Sequence, residues 1–260
     1  MASIYDFPDT YDLEHSGPQP DIGFFVGLVR SHRPARILEY ACGNGRLTIP
    51  IADAAAEWQG TVTGIDASLS MLEAARTNER ARLVIWEEGD VRSWQSREKF
   101  DFIFSGCGSM SHLTTTEQQI ATWRNAYCSL ETGGRFVVAE LAPDYPALAE
   151  SMRVPARNAI FFDGDFDDGT HRLLRCRAAR YRADLQFLKV RYFYDRLLRD
   201  TAGTEGRFVD DYDAHIYFPN ELRLLFRLSG FEIEGEWGGY DGSPLGHASR
   251  SIVICGVRRD

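Results

Sequence analysis

The sequence predicts an α/β chain, in which a mostly parallel sheet with helices on both faces is interrupted late by an antiparallel sheet. Three observations predict it. From Pro20 to about Leu141, segments with a helical period alternate with short apolar runs, the pattern of strand–helix–strand units. From about Phe161 to Phe218 the period falls to two with no helix between runs, which calls for antiparallel neighbours. From Pro219 onward one helical segment and two apolar runs follow.

Each element has a local reason. Pro20 and Asp21 open a helix in which Ile22, Phe25, Val26 and Val29 form one apolar stripe, and Pro34 stops it. Arg36–Tyr40 reads as a strand, Gly43-Asn44-Gly45 as a turn, and residues 46–58 as an Ile- and Ala-rich helix closed by Gly60. Residues 61–66 are β-branched and strand-like. Ser70 and Glu73 have capping-box spacing, with Ser68 a rival cap, for a helix over about 69–79. Residues 82–87 and 100–105 are two further strands. Thr114 and Glu117 suggest the next cap, before a stripe of Ile120, Trp123, Tyr127 and Leu130; Gly133-Gly134 reads as its stop, and residues 135–140 as a strand. The alternation of Leu188, Val190, Tyr192 and Tyr194 with Lys189, Arg191, Phe193 and Asp195 predicts an inserted sheet of about three strands. Residues 219–229 return to a helix stopped by Gly230, and residues 231–237 and 251–257 finish as strands.

Composition sets the bounds. The 260 residues are 44% hydrophobic and 26% charged, and 16 Phe, 11 Tyr and 5 Trp must be buried somewhere, which excludes a disordered chain. No apolar run reaches the ~20 residues of a spanning helix, so no membrane partner is expected, and Met1 to Pro8 lacks the pattern of a signal peptide. Five scattered cysteines without a CxxC pair argue against disulfides and zinc and for a reducing cytoplasm. A net charge of −9 disfavours nucleic acid as the main partner. Asp163 to Asp168 lacks the spacing of a calcium loop, and no metal is predicted.

The chemistry gathers at strand ends. Glu39-Tyr40-Ala41-Cys42-Gly43-Asn44-Gly45 lies between a strand and a helix, and its small residues allow a tight turn and close approach of a ligand. Asp66 ends the second strand, where a carboxylate can accept two hydrogen bonds from ribose hydroxyls. Asp90 ends the third, suited to an adenine amino group, with the Val91 amide suited to a ring nitrogen. Ser105-Gly106 ends the fourth and leaves room for a cofactor's tail.

This series resembles the class I S-adenosylmethionine (SAM) dependent methyltransferases over nearly the full length. The resemblance implies a Rossmann-like seven-stranded sheet, five strands parallel and a closing antiparallel pair. It is similar, more loosely, to enzymes that N,N-dimethylate nucleotide-linked deoxyaminosugars, through Tyr11-Asp12-Leu13, His112-Leu113-Thr114-Thr115-Thr116-Glu117, Leu130-Glu131-Thr132-Gly133-Gly134, Glu140 and the inserted sheet. Ala41 departs from the glycine expected at the first small position. The resemblance implies SAM as cofactor, held by Tyr11, Glu39, Ala41, Gly43, Asp66, Ala67, Met71, Asp90, Val91 and Ser105. The implied organisation is a SAM-binding core over 1–154 with an N-terminal lid segment, an antiparallel substrate lid over 155–218, and completion of the core over 219–260.

The expected reaction is methyl transfer to a small-molecule acceptor, preferably an amine nitrogen, with O- or C-methylation as the alternative. His112, just past the fourth strand, Glu140 at the end of the fifth, and His15 in the N-terminal segment are the candidates to orient the acceptor or take its proton. Nine basic residues from Arg172 to Arg199 face only Asp184 and Asp195 in that stretch, and read either as recognition of an anionic acceptor or as a solvated sheet face. Three other readings compete. A nicotinamide dehydrogenase fingerprint would place Thr48 where its third glycine belongs. A nucleic-acid methyltransferase that acts on base amines would end the fourth strand in a proline-containing motif unlike Ser105-Gly106-Cys107-Gly108. A SAM-binding module without catalysis is the third. The sequence is silent on oligomeric state.

Overall fold

A computed structural model describes residues 3–153, 160–198 and 204–260. In chain order the elements are α1 (Pro8–Glu14), α2 (Pro20–His32), β1 (Arg36–Tyr40), α3 (Thr48–Ala55), β2 (Thr61–Asp66), α4 (Leu69–Thr77), β3 (Val84–Glu88), β4 (Phe100–Ser105), α5 (Thr116–Ser129) and β5 (Leu130–Leu141). Then come α6 (Tyr145–Arg153), β6 (Phe161–Asp167), β7 (His171–Arg182), β8 (Phe187–Leu198), β9 (Thr204–His215), α7 (Pro219–Leu228), β10 (Phe231–Trp237) and β11 (Ser251–Arg258). The chain divides into two compact units: Pro20–Pro143 with Tyr217–Asp260, and Met1–Gln19 with Asp144–Ile216. The N-terminal segment thus groups with the inserted sheet, not with the core as the boundaries 1–154, 155–218 and 219–260 had it; residues 154–159 lie outside the described residues.

The larger unit is a seven-stranded sheet in the order β3-β2-β1-β4-β5-β11-β10. Strands β1 to β5 pair in parallel, and β11 is antiparallel to both β5 and β10. Alternate side chains sort into two cores, as a pleat with period two requires. Ile37, Phe102, Phe104 and Val137 meet Phe25 and Val29 of α2 and Ile51 of α3 on one face. Leu38, Ile103, Phe136 and Val138 meet Trp123 of α5 and Leu222 and Phe226 of α7 on the other. The strands are apolar on both faces because both faces are covered. Strand order reverses at β1, which lies between β2 and β4. Ligands bind beyond the strand carboxyl ends at such a reversal.

Three local expectations move. Ser68, not Ser70, caps α4, its side chain accepting the Met71 N–H, and Thr115 with Gln118, not Thr114 with Glu117, forms the box at α5. Strand β5 begins at Leu130, so Gly133 and Gly134 lie within it. Gly133 has φ +84° where the β4 register jumps from Leu130 to Arg135, a bulge that glycine accommodates.

The smaller unit is an antiparallel sheet in the order β6-β7-β8-β9, four strands where about three were expected. One of the four is β6, which takes in most of the acidic Asp163 to Asp168 stretch. Leu173 and Tyr194 of this sheet bury Ile4 and Leu13 of the N-terminal segment. Asp210, polar in an otherwise inward set on β9, accepts the Ile4 N–H at 3.0 Å.

Candidate functional site

The loop after β1 is set by its backbone. Ala41, Gly43 and Gly45 all have positive φ, at +55°, +56° and +88°. A Cβ on Gly45 would stand 2.6 Å from the Trp86 ring, and one on Gly43 3.3 Å from Met71 Cε. The Cys42 N–H donates to the Ile65 carbonyl at 2.9 Å and ties the loop to β2. Asp66 completes the tie: Oδ2 accepts the Gly43 N–H at 2.7 Å and Oδ1 the Ser68 N–H at 2.8 Å. Burial raises the Asp66 pKa, against the lowering effect of the Ser68, Gly43 and Ala67 amides. Glu39 lies buried beneath the loop and accepts the Thr48 hydroxyl; burial pushes its carboxyl up to about 8.

Ala41 is the loop residue whose side chain resists its conformation, since a left-handed backbone costs an L-residue about 1–2 kcal/mol. Glycine removes that cost and adds about 0.4–1 kcal/mol of unfolded-state entropy. Ala41→Gly is therefore expected to raise Tm by about 1–3 °C. A lower Tm by calorimetry would show that the Ala41 methyl group is needed for packing.

At the next strand end, the Gly89 N–H donates to the Asp66 carbonyl at 2.9 Å and brings Asp90 and Val91 alongside. Asp90 is fully engaged by Arg92: Oδ1 accepts its N–H at 2.9 Å and Nε at 2.8 Å, and Oδ2 accepts Nε at 2.8 Å and the Nη2 group. This side-chain pair holds the Asp90 carboxyl below its ordinary range. A carboxylate has about four lone-pair sites, so an adenine amino group can bind Asp90 only by displacing part of that fork. The Val91 carbonyl accepts Asn125 Nδ2 at 2.9 Å.

Beyond β4, Ser105 Oγ is buried with no hydrogen-bond partner among the described residues, and a Cβ on Gly106 would meet Leu47 Cδ1 at 2.3 Å. Arg46 grips Asp21 of α2 through Nη1–Oδ1 at 3.1 Å and through Nη2, and touches Cys107 Sγ. Burial opposes the Asp21 charge, and the Arg46 hydrogen bond and charge more than offset it, so its pKa lies below the usual value. Sequence reasoning missed this pair. Its only signal was a basic residue directly after Gly45, in a cluster of strand-end acids.

Glu140, buried at the end of β5, accepts the Met110 N–H at 2.9 Å through Oε1, and the Tyr217 hydroxyl donates to the Met110 carbonyl at 3.0 Å. Together they pin the Ser109–His112 turn. His112 ends that turn exposed at its edge, and lost hydration lowers its pKa. Burial pushes the Glu140 carboxyl up to about 8 from 4.5. Between these values the native state holds a proton that the unfolded chain has released, so stability falls as pH rises from about 4.5 to about 8. The ceiling for one such group is about 5 kcal/mol, and Glu39 adds in the same direction. Glu140→Gln keeps an acceptor for Met110 and cannot ionise. It is expected to unfold at higher denaturant than the parent at pH 8.5, and at nearly the same concentration at pH 5. Parallel pH curves would locate the effect elsewhere.

The structure thus joins Glu39, Ala41, Gly43, Asp66, Ala67 and Met71 around one loop, sets Asp90, Val91 and Ser105 at the adjoining strand ends, and links His112 to Glu140 through Met110. Tyr11 and His15 belong to the smaller unit. There the His15 ring stacks on Tyr11 at 4.0 Å, and Nδ1 lies 2.8 Å from the Tyr11 carbonyl. A carbonyl only accepts, so in this contact Nδ1 carries the proton and neutral His15 keeps its lone pair on Nε2. The arginines of the inserted sheet are mostly matched to acids, in the pairs Arg172–Asp165, Arg182–Asp184 and Arg191–Asp211. A paired, solvated face explains most of the basic run; Arg199 lies outside the described residues. Among the described residues no cluster of three or more His, Cys, Asp or Glu is placed to hold a metal ion.

A tight loop with left-handed residues, acids at two successive strand ends and a buried unpartnered hydroxyl at a fourth fit a nucleoside cofactor with a polar tail. Fold and site are those of an α/β protein with a crevice suited to such a cofactor beyond its strand ends. Residues 37–134 match the family described as Methyltransferase domain. The chain is 29% identical over 260 residues to the cypemycin N-terminal methyltransferase of Streptomyces sp, covering 97% of this chain and 96% of that protein. It is 32% identical over 139 residues to the dTDP-3-amino-3,4,6-trideoxy-alpha-D-glucopyranose N,N-dimethyltransferase of Streptomyces venezuelae, covering 51% of this chain and 56% of that protein. The CcbJ methyltransferase of Streptomyces caelestis shares its fold, with a TM-score of 0.74 and 22% identity over 94% of this chain and 92% of that one. The chain is a class I SAM-dependent methyltransferase.

Proposed function

We propose that the enzyme methylates a nitrogen of a small-molecule amine. The observation that carries this reading is the likeness over 97% of the chain to a protein named for N-terminal methylation; the partial likeness to an N,N-dimethyltransferase of an amino sugar points the same way. The acid–base candidates suit an amine. Near neutral pH partial loss of hydration favours the uncharged form of His112, and burial favours the protonated form of Glu140. Such a pair supplies no strong base to ionise an alcohol, but a neutral amine is already nucleophilic and needs mainly alignment.

When bound, SAM supplies the electrophilic methyl group. In this reading Asp66 holds the ribose, and Asp90 and the Val91 amide read the adenine once Arg92 yields. Glu39, Ala41, Gly43, Ala67, Met71 and Ser105 line the loop and crevice. Tyr11 contributes to cofactor binding. His112 orients the acceptor or receives its proton on the neutral imidazole, and Glu140 fixes the turn that carries His112. His15 Nε2 is the second proton acceptor. The inserted sheet confers acceptor specificity, and a cytoplasmic location fits the five free cysteines.

The test is incubation with methyl-labelled SAM and a panel of peptide α-amines, amino-sugar nucleotides, phenols and RNA, read by mass spectrometry. Label on an amine nitrogen is expected. Label confined to a phenol, to carbon or to RNA overturns the reading.

A further inference from the structure

In the larger unit, exposed His112 stands between two buried residues, Ser111 and Leu113, in the turn after β4. Buried side chains hold the backbone on either side of it. Before it, the Met110 N–H donates to Glu140 Oε1 at 2.9 Å, and the Met110 carbonyl accepts the Tyr217 hydroxyl at 3.0 Å. After it, the Leu113 carbonyl accepts Gln119 Nε2, from the first turns of α5, at 2.9 Å. An amide NH2 group has two hydrogens, and Gln119 also hydrogen-bonds the Tyr217 side chain. The Leu113 N–H donates to the Met110 carbonyl at 2.9 Å.

These bonds close a ring. It runs from the Met110 carbonyl through the Tyr217 hydroxyl and the Gln119 amide to Leu113, and back through the Leu113 N–H. Tyr217 and Gln119 are only 1% and 2% exposed, and the Tyr217 ring lies 6.1 Å from that of Trp123. A buried polar network with its bonds made is rigid, and His112 is the residue this ring encloses. We propose that Tyr217 and Gln119 are positioning residues for His112, acting through the Met110 and Leu113 carbonyls to fix where the imidazole stands. This rests on the reading that His112 meets the acceptor's nitrogen.

The variants separate positioning from folding. Tyr217→Phe deletes one hydroxyl, and the Met110 carbonyl keeps the Leu113 N–H, so no buried backbone group is orphaned. Gln119→Met keeps the length of the side chain and removes both its hydrogens, which makes the same test without touching the aromatic core. Thr122→Val removes another buried hydroxyl of α5, one that bonds the Gln118 carbonyl instead.

NMR of the full chain labelled at histidine Cε1 follows the imidazole directly, the His112 signal being the one missing from His112→Ala. Lost hydration lowers its titration midpoint from the ordinary 6.5. A loosened turn restores water to the ring, so the midpoint should move up toward 6.5 in Tyr217→Phe and in Gln119→Met, and stay at the parent value in Thr122→Val. An unmoved midpoint in either of the first two overturns the proposal, and so does an equal movement in Thr122→Val, which would reduce the pair to structural residues.

Kinetics use the amine that takes the label in the panel above. Since a misplacement of about 1 Å can cost about 10²-fold, kcat should fall about tenfold in Tyr217→Phe, with SAM affinity by calorimetry unchanged. It should fall no further when Tyr217→Phe is added to His112→Ala, because both changes remove the same contribution. Additive losses overturn the proposal, as does a loss of SAM affinity in step with turnover. Parent-like turnover in His112→Ala, or label on no amine, overturns the reading beneath and the proposal with it. The two failures are told apart by the NMR midpoint, which still answers to Tyr217 when only the reading of His112 is wrong.

Discussion

Replacing Asp66 with alanine is expected to lower SAM affinity by about 10²–10⁴-fold. The carboxylate offers about four lone-pair sites. The Gly43 amide occupies one site on Oδ2 and the Ser68 amide one on Oδ1, with the Ala67 amide close by, and the second lone pair of each oxygen can accept a ribose hydroxyl. Charge-assisted hydrogen bonds of about 1.5–3 kcal/mol each give 3–6 kcal/mol for the pair, which is that range of affinity. The substitution also releases Gly43, so the loop keeps only its Cys42–Ile65 tie to β2. Asp66→Asn should fall between parent and alanine variant, because its amide keeps one acceptor oxygen but turns an NH2 group toward an N–H donor. Calorimetry decides; parent-like affinity in Asp66→Ala would remove ribose binding from this residue.

His112→Ala is expected to lower turnover by about 10²–10⁴-fold if the imidazole takes the acceptor's proton, with SAM affinity intact. The pH profile carries the sign. Lost hydration holds the His112 pKa below its ordinary 6.5. The rate should therefore rise with pH only up to a point below 6.5 and then level off, because the neutral form is the active one. A residue that merely orients the acceptor would raise KM and leave kcat nearly unchanged. Parent-like kcat and KM in the variant would take His112 out of the site and leave His15 as the next proton acceptor to test.

What could be read from the sequence divides along physical lines. Strand positions such as Ile37–Tyr40 and Phe102–Ser105 are buried throughout, and continuous apolar runs between turn residues announce that directly. Helix α2 showed its stripe, and Phe25 and Val29 are fully buried. The loop residues Glu39, Ala41 and Gly43 were legible because one strand-to-helix turn contains them all. Cap positions slipped by one or two residues, because several hydroxyl side chains compete there and tertiary packing chooses among them. The Gly133–Gly134 bulge was misread as a helix stop, since glycine serves both uses. The Asp21–Arg46 pair spans 25 positions and the Met110–Glu140 bond 30. No local pattern encodes such contacts; they exist only once the sheet has brought the elements together. The Arg92 fork on Asp90 was in plain sight at a spacing of two, but its geometry depends on the turn after Gly89.

The place of β11 in the sheet bears on how the protein is made. This strand comes last in the chain, yet it lies between β5 and β10 rather than at an edge. On the ribosome, β1 to β5 emerge first and can assemble as each is finished, but the outer side of β5 then waits more than a hundred residues for its neighbour. Throughout that interval Phe136 to Ala139, fully buried in the finished molecule, present open backbone groups and apolar side chains. Such an edge invites pairing with other nascent chains. The antiparallel unit is threaded through the chain during this waiting period, and its long ladders are complete before β11 arrives. Yield of active protein on expression should therefore depend on how fast residues 144–258 are translated, a property fixed by the order of strands and not by the strength of any one contact.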